Sequence, residues 1–210
     1  MLVMPPVDDL TARARIRDAA LAEFGARGFA GATIRGIAER AGFSPALVQH
    51  HFGTKDGLRA VCDAHVLEYF REHTASGIGD GRVGDASFIA EVYASSPPVV
   101  HYLARALVDG SPAAATVFDE LVKLTERYLV DRPGLADART RAIVFTGMRL
   151  GALVLHDHVS RLLGADMFSG EAAPRIGRAT LDIVAPELLP EGLSARVREA
   201  LERYEEGQGR

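Results

Sequence analysis

The chain has 210 residues, 48% of them apolar and 25% charged, with 24 basic against 28 acidic side chains for a formal charge of −4. That balance specifies a folded globular chain, not a disordered one. A lone cysteine, Cys62, excludes a disulfide scaffold and suits a reducing, cytoplasmic setting. Met1–Leu10 lacks the basic-then-apolar plan of a signal peptide. The longest apolar stretch, Ile143–Leu155, contains Arg149 and is about 13 residues long, too short and too charged to span a bilayer.

Residues 1–9 read as a disordered or loosely ordered arm. Ala12, Ile16, Ala20 and Phe24 then recur every fourth residue, with Arg13, Arg15, Arg17 and Glu23 between them, which predicts an amphipathic helix ended by Gly28. Thr33 caps a short helix carrying Ile34, Ile37 and Ala38 and stopping at Gly42. Ser44 caps a third, with Pro45 at its first position, ending near Phe52–Gly53. Thr54 caps a longer fourth helix with Val61, His65, Leu67 and Phe70, running toward Ala75. Gly77–Gly84 is a glycine-rich break. Beyond it, helices are predicted near 85–95, 98–109, 112–131, 135–163, 171–185 and 193–205, with Pro97, Pro112, Pro133, Pro174 and Pro186 at or near their ends. No bounded alternating run demands a strand, so the expected class is all-α.

Charge divides unevenly along this plan. Residues 1–60 hold eight basic and six acidic side chains, a net +2, and the remainder carries −6. A basic head on an acidic body favours a polyanion partner for the head alone. The head also contains a helix-turn-helix pattern, with an Ala41-Gly42-Phe43 turn between its second and third helices. Val48 and Phe52, four apart, face the core with Ile37 and Phe24. Pro45, Ala46, Gln49 and His50 are left on the outer face. Glutamine pairs bidentately with adenine, alanine touches the thymine methyl, and small residues let a helix approach closely, which suits a DNA major groove. A solvated helix face would carry the same residue types.

The run Thr33-Ile34-Arg35-Gly36-Ile37-Ala38-Glu39-Arg40-Ala41-Gly42-Phe43-Ser44, followed by His51-Phe52-Gly53-Thr54-Lys55-Asp56-Gly57-Leu58, resembles the DNA-binding domain of the TetR family of bacterial transcriptional regulators. The resemblance covers roughly residues 10–60, and residues 61–210 fit that family's helical ligand-binding and dimerisation domain in length and helix count. One departure is Gln49, where the family usually has tyrosine. The resemblance implies that Arg35 reaches a base, that Thr33 and Ser44 contact phosphates, and that His51 contacts the DNA backbone. It also implies that Lys55 holds a phosphate, and a cation at a helix N-terminus does need some such partner, because it opposes the macrodipole.

Other motifs carry less. Gly79–Gly84 satisfies G-x-G-x-x-G but follows a predicted helix, not the strand that a dinucleotide fold requires. His156-Asp157-His158 and His50-His51 have the wrong helical spacing for chelation, so neither metal nor cofactor is expected. No nucleophile elbow, P-loop or paired catalytic carboxylates appear, which argues against an enzyme. The expected function is therefore a cytoplasmic homodimeric repressor, bound to double-stranded DNA at a palindromic operator and released by a small hydrophobic ligand. An activator, or a ligand-binding protein with a degenerate head, is the alternative. Candidate ligand residues are Phe88, Tyr93, His101, Tyr102, Arg105, Phe118, Phe145, Met148, Arg149 and His156. Ala142, Phe145, Leu153, Ile176, Thr180 and Ile183 form stripes expected at a dimer contact, and Gly147 and Gly151 would permit close helix packing there.

Overall fold

The computed structural model describes residues 7–74, 82, 85, 97–129, 133, 135–183 and 193–208. Among them are ten helices and no strand: α1 Val7–Gly31, α2 Ile34–Ala41, α3 Pro45–Phe52, α4 Lys55–Thr74, α5 Pro97–Val108, α6 Pro112–Tyr128, α7 Ala138–Val154, α8 His156–Leu163, α9 Ala172–Ile183 and α10 Leu193–Gln208. The all-α expectation holds. Val7, Asp8 and Asp9, assigned to the arm, are helical. Apart from Arg82 and Asp85, the glycine-rich segment and the helix expected near 85–95, with Phe88 and Tyr93, lie outside the described residues. Among the described residues no helix is long and apolar enough to cross a membrane.

The chain divides into two units, Met1–Glu68 with Pro98–Ala114, and Tyr69–Pro97 with Ala115–Arg210. In the first, Ile16, Leu21 and Phe24 of α1, Ile37 of α2, Val48 and Phe52 of α3, Leu58 and Cys62 of α4, and Tyr102 and Leu103 of α5 are buried. The joint burial of Phe24, Ile37, Val48 and Phe52 follows their spacing. On α4 the inward stripe is Leu58, Cys62, Val66 and Tyr69, while Val61, His65, Leu67 and Phe70 are half-buried. The stripe passes through cysteine, which packs as a small hydrophobe. Glu23 also departs from expectation. Its side chain is 5% exposed, and its carboxylate accepts from Arg40 at 3.0 Å and pairs with Arg27 at 3.3 Å, tying α1 to α2.

Burial, reinforced by the negative charge of Asp63, pushes the Cys62 thiol up to about 12. Its stabilising contribution is complete below pH 9, the unfolded thiol's range, and is lost as pH rises through 12. Iodoacetamide at pH 8 should therefore leave Cys62 unmodified in the native protein and alkylate it fully in urea, as read by mass spectrometry. Rapid native labelling would contradict this burial.

In the second unit Val117 and Val122 of α6, Ala142, Thr146 and Leu153 of α7, Ala172 of α9, and Ala200, Leu201 and Tyr204 of α10 are buried. Arg71 donates two hydrogen bonds to Glu120, at 2.9 and 2.7 Å, and this holds the carboxyl below its ordinary range. The single helix expected over 135–163 is two. Leu155 leaves helical geometry at φ −92° and ψ 21°, and α8 restarts after it. No glycine or proline marks that break.

Candidate nucleic-acid interface

Each helix of the helix-turn-helix begins and ends on a defined local contact. Thr33 is extended, and its Oγ1 accepts from the Gly36 amide at 3.0 Å. Ser44 does the same for Leu47 at 3.2 Å, with Pro45 directly behind it. Between them Gly42 adopts the left-handed conformation. Its amide donates to the Glu39 carbonyl at 3.2 Å and that of Phe43 donates to Ala38 at 2.9 Å, the paired bonds of a Schellman stop. Arg15 of α1 completes the turn. Its guanidinium donates to the Ala41 carbonyl at 3.0 Å and lies over the Phe43 ring at 4.8 Å.

The exit from α3 is equally constrained. Thr54 Oγ1 accepts from the Gly57 amide at 3.0 Å, capping α4. A Cβ on Gly57 would overlap the Phe52 carbonyl oxygen, so only glycine lets α4 start this close to α3. At the entry, Gly28 interrupts α1 at φ 68° and ψ 169°, a region essentially closed to other residues. The stop expected at Gly28 is therefore a kink, with helix resuming through Gly31.

On this frame Thr33, Arg35, Ser44, Pro45, Ala46, Gln49 and His50 are all exposed, and His51 and Lys55 are half-buried. Within the described residues Arg35 and Gln49 make no side-chain hydrogen bond or ion pair, so their donors remain open to a ligand. The Thr33 and Ser44 hydroxyls, already accepting cap bonds, keep their O–H groups for donation. Both stand at helix N-termini, where the macrodipole favours an anion. His51 packs edge-on against the rings of His50 and Phe52, at 5.5 and 6.0 Å.

Lys55 has partners within the protein. Its ammonium donates to the carbonyls of Phe29 at 2.7 Å and Ala32 at 2.9 Å, and sits 4.5 Å from the Phe29 ring centre. The cation that seemed to lack a partner at the start of α4 lies at the C-terminal end of α1, where the dipole favours it.

The described members of the expected ligand set fall in both units. His101, Tyr102 and Arg105 belong to the first unit, and Phe118, Phe145, Met148, Arg149 and His156 to the second. Tyr102 is buried against Phe24 and donates to Asp63 at 2.5 Å. Burial, then this bond, raises its phenol well above the ordinary range. Arg105 pairs with Asp109 at 3.3 Å and faces the Gly28 kink. The crevice lined by Phe24, Phe29, Arg59, Tyr102, Arg105, Ala106 and Asp109 has about 10 Å³ of free volume, room for one water. Phe118 and Phe145 are half-buried, Arg149 reaches over the Phe145 ring at 5.8 Å, and His156 pairs with Asp157 at 3.3 Å. Met148 is 60% exposed.

Of the stripe expected for dimer contact, Ile183 is exposed and Phe145, Ile176 and Thr180 are half-buried. Ala142 and Leu153 are buried within the chain. The face left open on α7 and the residue after it is Val144, Gly147, Met148, Gly151 and Leu155, with Val144 and Leu155 about as exposed as Met148. A Cβ at either glycine would meet nothing within 4 Å.

Known proteins share this architecture. The sequence model of "Bacterial regulatory proteins, tetR family" matches residues 16–62, the whole helix-turn-helix and its flanks. The HTH-type transcriptional regulatory protein RaaS of Mycobacterium tuberculosis is 37% identical over 169 residues, covering 75% of this chain and 78% of its own. CprB of Streptomyces coelicolor, a TetR family protein solved in complex with its operator, superposes with a TM-score of 0.65 at 17% identity, over 96% of this chain and all of its own. A γ-butyrolactone receptor described as ArpA-like superposes at 0.63, with the same identity and coverage. The match to RaaS runs far beyond the DNA-binding head, and with the head's own geometry it settles the family: this chain is a transcriptional regulator of the TetR family, carrying a DNA-binding helix-turn-helix.

Proposed function

We propose that the protein is a homodimeric, cytoplasmic repressor, not an enzyme, that occupies a palindromic operator and leaves it when a small hydrophobic ligand binds. The observation that carries the DNA half is the outer face of α2 and α3. Arg35 and Gln49 are exposed and without hydrogen bonds among the described residues, beside two capped helix N-termini suited to phosphates. Arg35 and Gln49 read bases, Pro45 and Ala46 let α3 approach the groove floor, His50 and His51 lie toward the strand, and Thr33 and Ser44 donate to phosphates. A two-fold dimer covering its operator excludes other proteins from the same groove.

Support for the dimer is the open apolar face at Val144, Gly147, Met148, Gly151 and Leu155. These residues share one side of the helix, and the two glycines let a second backbone come close. Met148 belongs to this face in preference to a pocket. Support for the ligand is the fold held in common with a protein described as a γ-butyrolactone receptor; Phe118, Phe145 and His156, half-buried in the second unit, are the candidates for contact with it.

Selection from a random duplex library should recover a palindrome whose half-sites lie about one helical turn, roughly 34–36 Å, apart. Sedimentation should give twice the 22.5 kDa chain mass, and Met148→Glu should return the monomer. A wild-type monomer at micromolar concentration, or recovered sequences with no symmetry, would sink the dimeric reading. Hydrophobic metabolites that raise Tm should also weaken operator binding. Binders that leave it unchanged would remove the ligand from the proposal.

A further inference from the structure

We infer that Glu23 is a positioning residue for base reading: its buried carboxylate, tied to Arg40, sets the roll of α2 against α1 and so the direction in which Arg35 is presented to DNA. The inference rests on the base-reading face proposed above. Hydrophobic contact specifies that roll only weakly. The buried residues of α2 are Ile37, Ala38 and Ala41, and two of the three offer a single methyl. Apolar burial is non-directional, so such a face tolerates rotation. A charge-assisted hydrogen bond does not. From the last turn of α2, Arg40 Nε donates to Glu23 Oε1 at 3.0 Å.

The carboxylate meets α2 at a second point. Only 5% of the Glu23 side chain is exposed, and a Cβ on Gly36 would come 3.7 Å from its Oε2. Gly36 follows Arg35 directly and lies four residues, one helical turn, before Arg40. Glu23 therefore touches the same face of α2 at both ends of one turn, which a roll of the helix would break. Arg27 brings a second cation to Oε2, at 3.3 Å, but it belongs to α1 itself and spans no interface. Replacing a buried ion pair by apolar side chains is often neutral for stability. The contribution of this one is orientation.

Two matched pairs of variants isolate the tie. Glu23→Gln and Glu23→Leu both remove the negative charge, but glutamine keeps a carbonyl oxygen to accept from Arg40 and leucine keeps none. Arg27→Met and Arg40→Met each remove one cation from the same carboxylate, and of the two only Arg40 joins α2 to α1. All four are titrated beside the wild type with the selected operator and with a random duplex, and each is put through the same library selection. Wild-type preference for operator over random duplex tests the base-reading face, and differences between variants test the tie. The tie predicts that Glu23→Leu loses about tenfold of that preference, a partial loss of one base contact per subunit. Its recovered half-site should weaken at the position that Arg35→Ala also weakens. Glu23→Gln should stay within about twofold of wild type. Arg40→Met should lose preference as Glu23→Leu does, and Arg27→Met should keep it. Equal preference in Glu23→Gln and Glu23→Leu would overturn the tie, as would equal preference in the two arginine variants. Should Glu23→Leu fail to fold, the arginine pair still decides, because those side chains are 60% and 49% exposed.

Discussion

Replacing Phe24 with alanine is expected to cost about 3–5 kcal/mol of stability, the range for emptying a large aromatic from a packed core. Phe24 is 2% exposed, joins α1 to α5 through Tyr102, edge-on at 6.2 Å, and packs on Phe29 of its own helix at 5.6 Å. For a chain of this size the loss corresponds to a fall in Tm of roughly 6–20 °C. Phe24→Leu should cost much less. Calorimetry or circular dichroism melts of the pair measure this, and equal small shifts for both would mean that the aromatic cluster contributes little.

The second large effect falls on affinity and leaves stability alone. Arg35→Ala and Gln49→Ala should each remove one base contact per subunit, at about 1–3 kcal/mol per contact. A two-fold dimer doubles that to about 2–6 kcal/mol, or roughly 30-fold to 10⁴-fold in operator affinity. Both side chains are exposed and without hydrogen bonds among the described residues, so melting should move by no more than about 0.5 kcal/mol. The recovered half-site should lose its preference at one position, a different one for each variant. A uniform loss across all sequences would assign both residues to the DNA backbone.

The helix-turn-helix was legible because its signals are local. Thr33, Gly42, Ser44 and Pro45 fix helix ends within a few residues of themselves, and the four-residue spacing of Val48 and Phe52 fixes which face turns inward. What escaped was decided by residues far apart in sequence. Glu23 has the spacing of a polar-face residue, and its burial is tolerable because Arg40, seventeen positions later, joins Arg27 on its carboxylate. Lys55 looked stranded at a helix start, and its carbonyl partners lie 26 and 23 residues earlier. The break at Leu155 has no glycine or proline to announce it; His156, just beyond, lies 5.6 Å from Phe168. Residue type alone, aromatic or polar on a middle helix, does not separate a half-buried side chain such as Phe118 from a core member such as Tyr102.

The contact of Gly57 with the Phe52 carbonyl bears on how mutational maps of this protein are to be interpreted. A saturation library screened for repression would show position 57 as intolerant as Gln49 or Arg35, although its glycine has no side chain to offer a base or a phosphate. The two kinds of intolerance differ in pattern. A base-reading position accepts other residues once the operator is changed to match, so its profile shifts with the DNA supplied. Position 57 should reject every substitution on every operator, because the excluded volume belongs to the protein's own backbone. Screening one library against several operators would therefore sort specificity positions from architectural ones without any further structure.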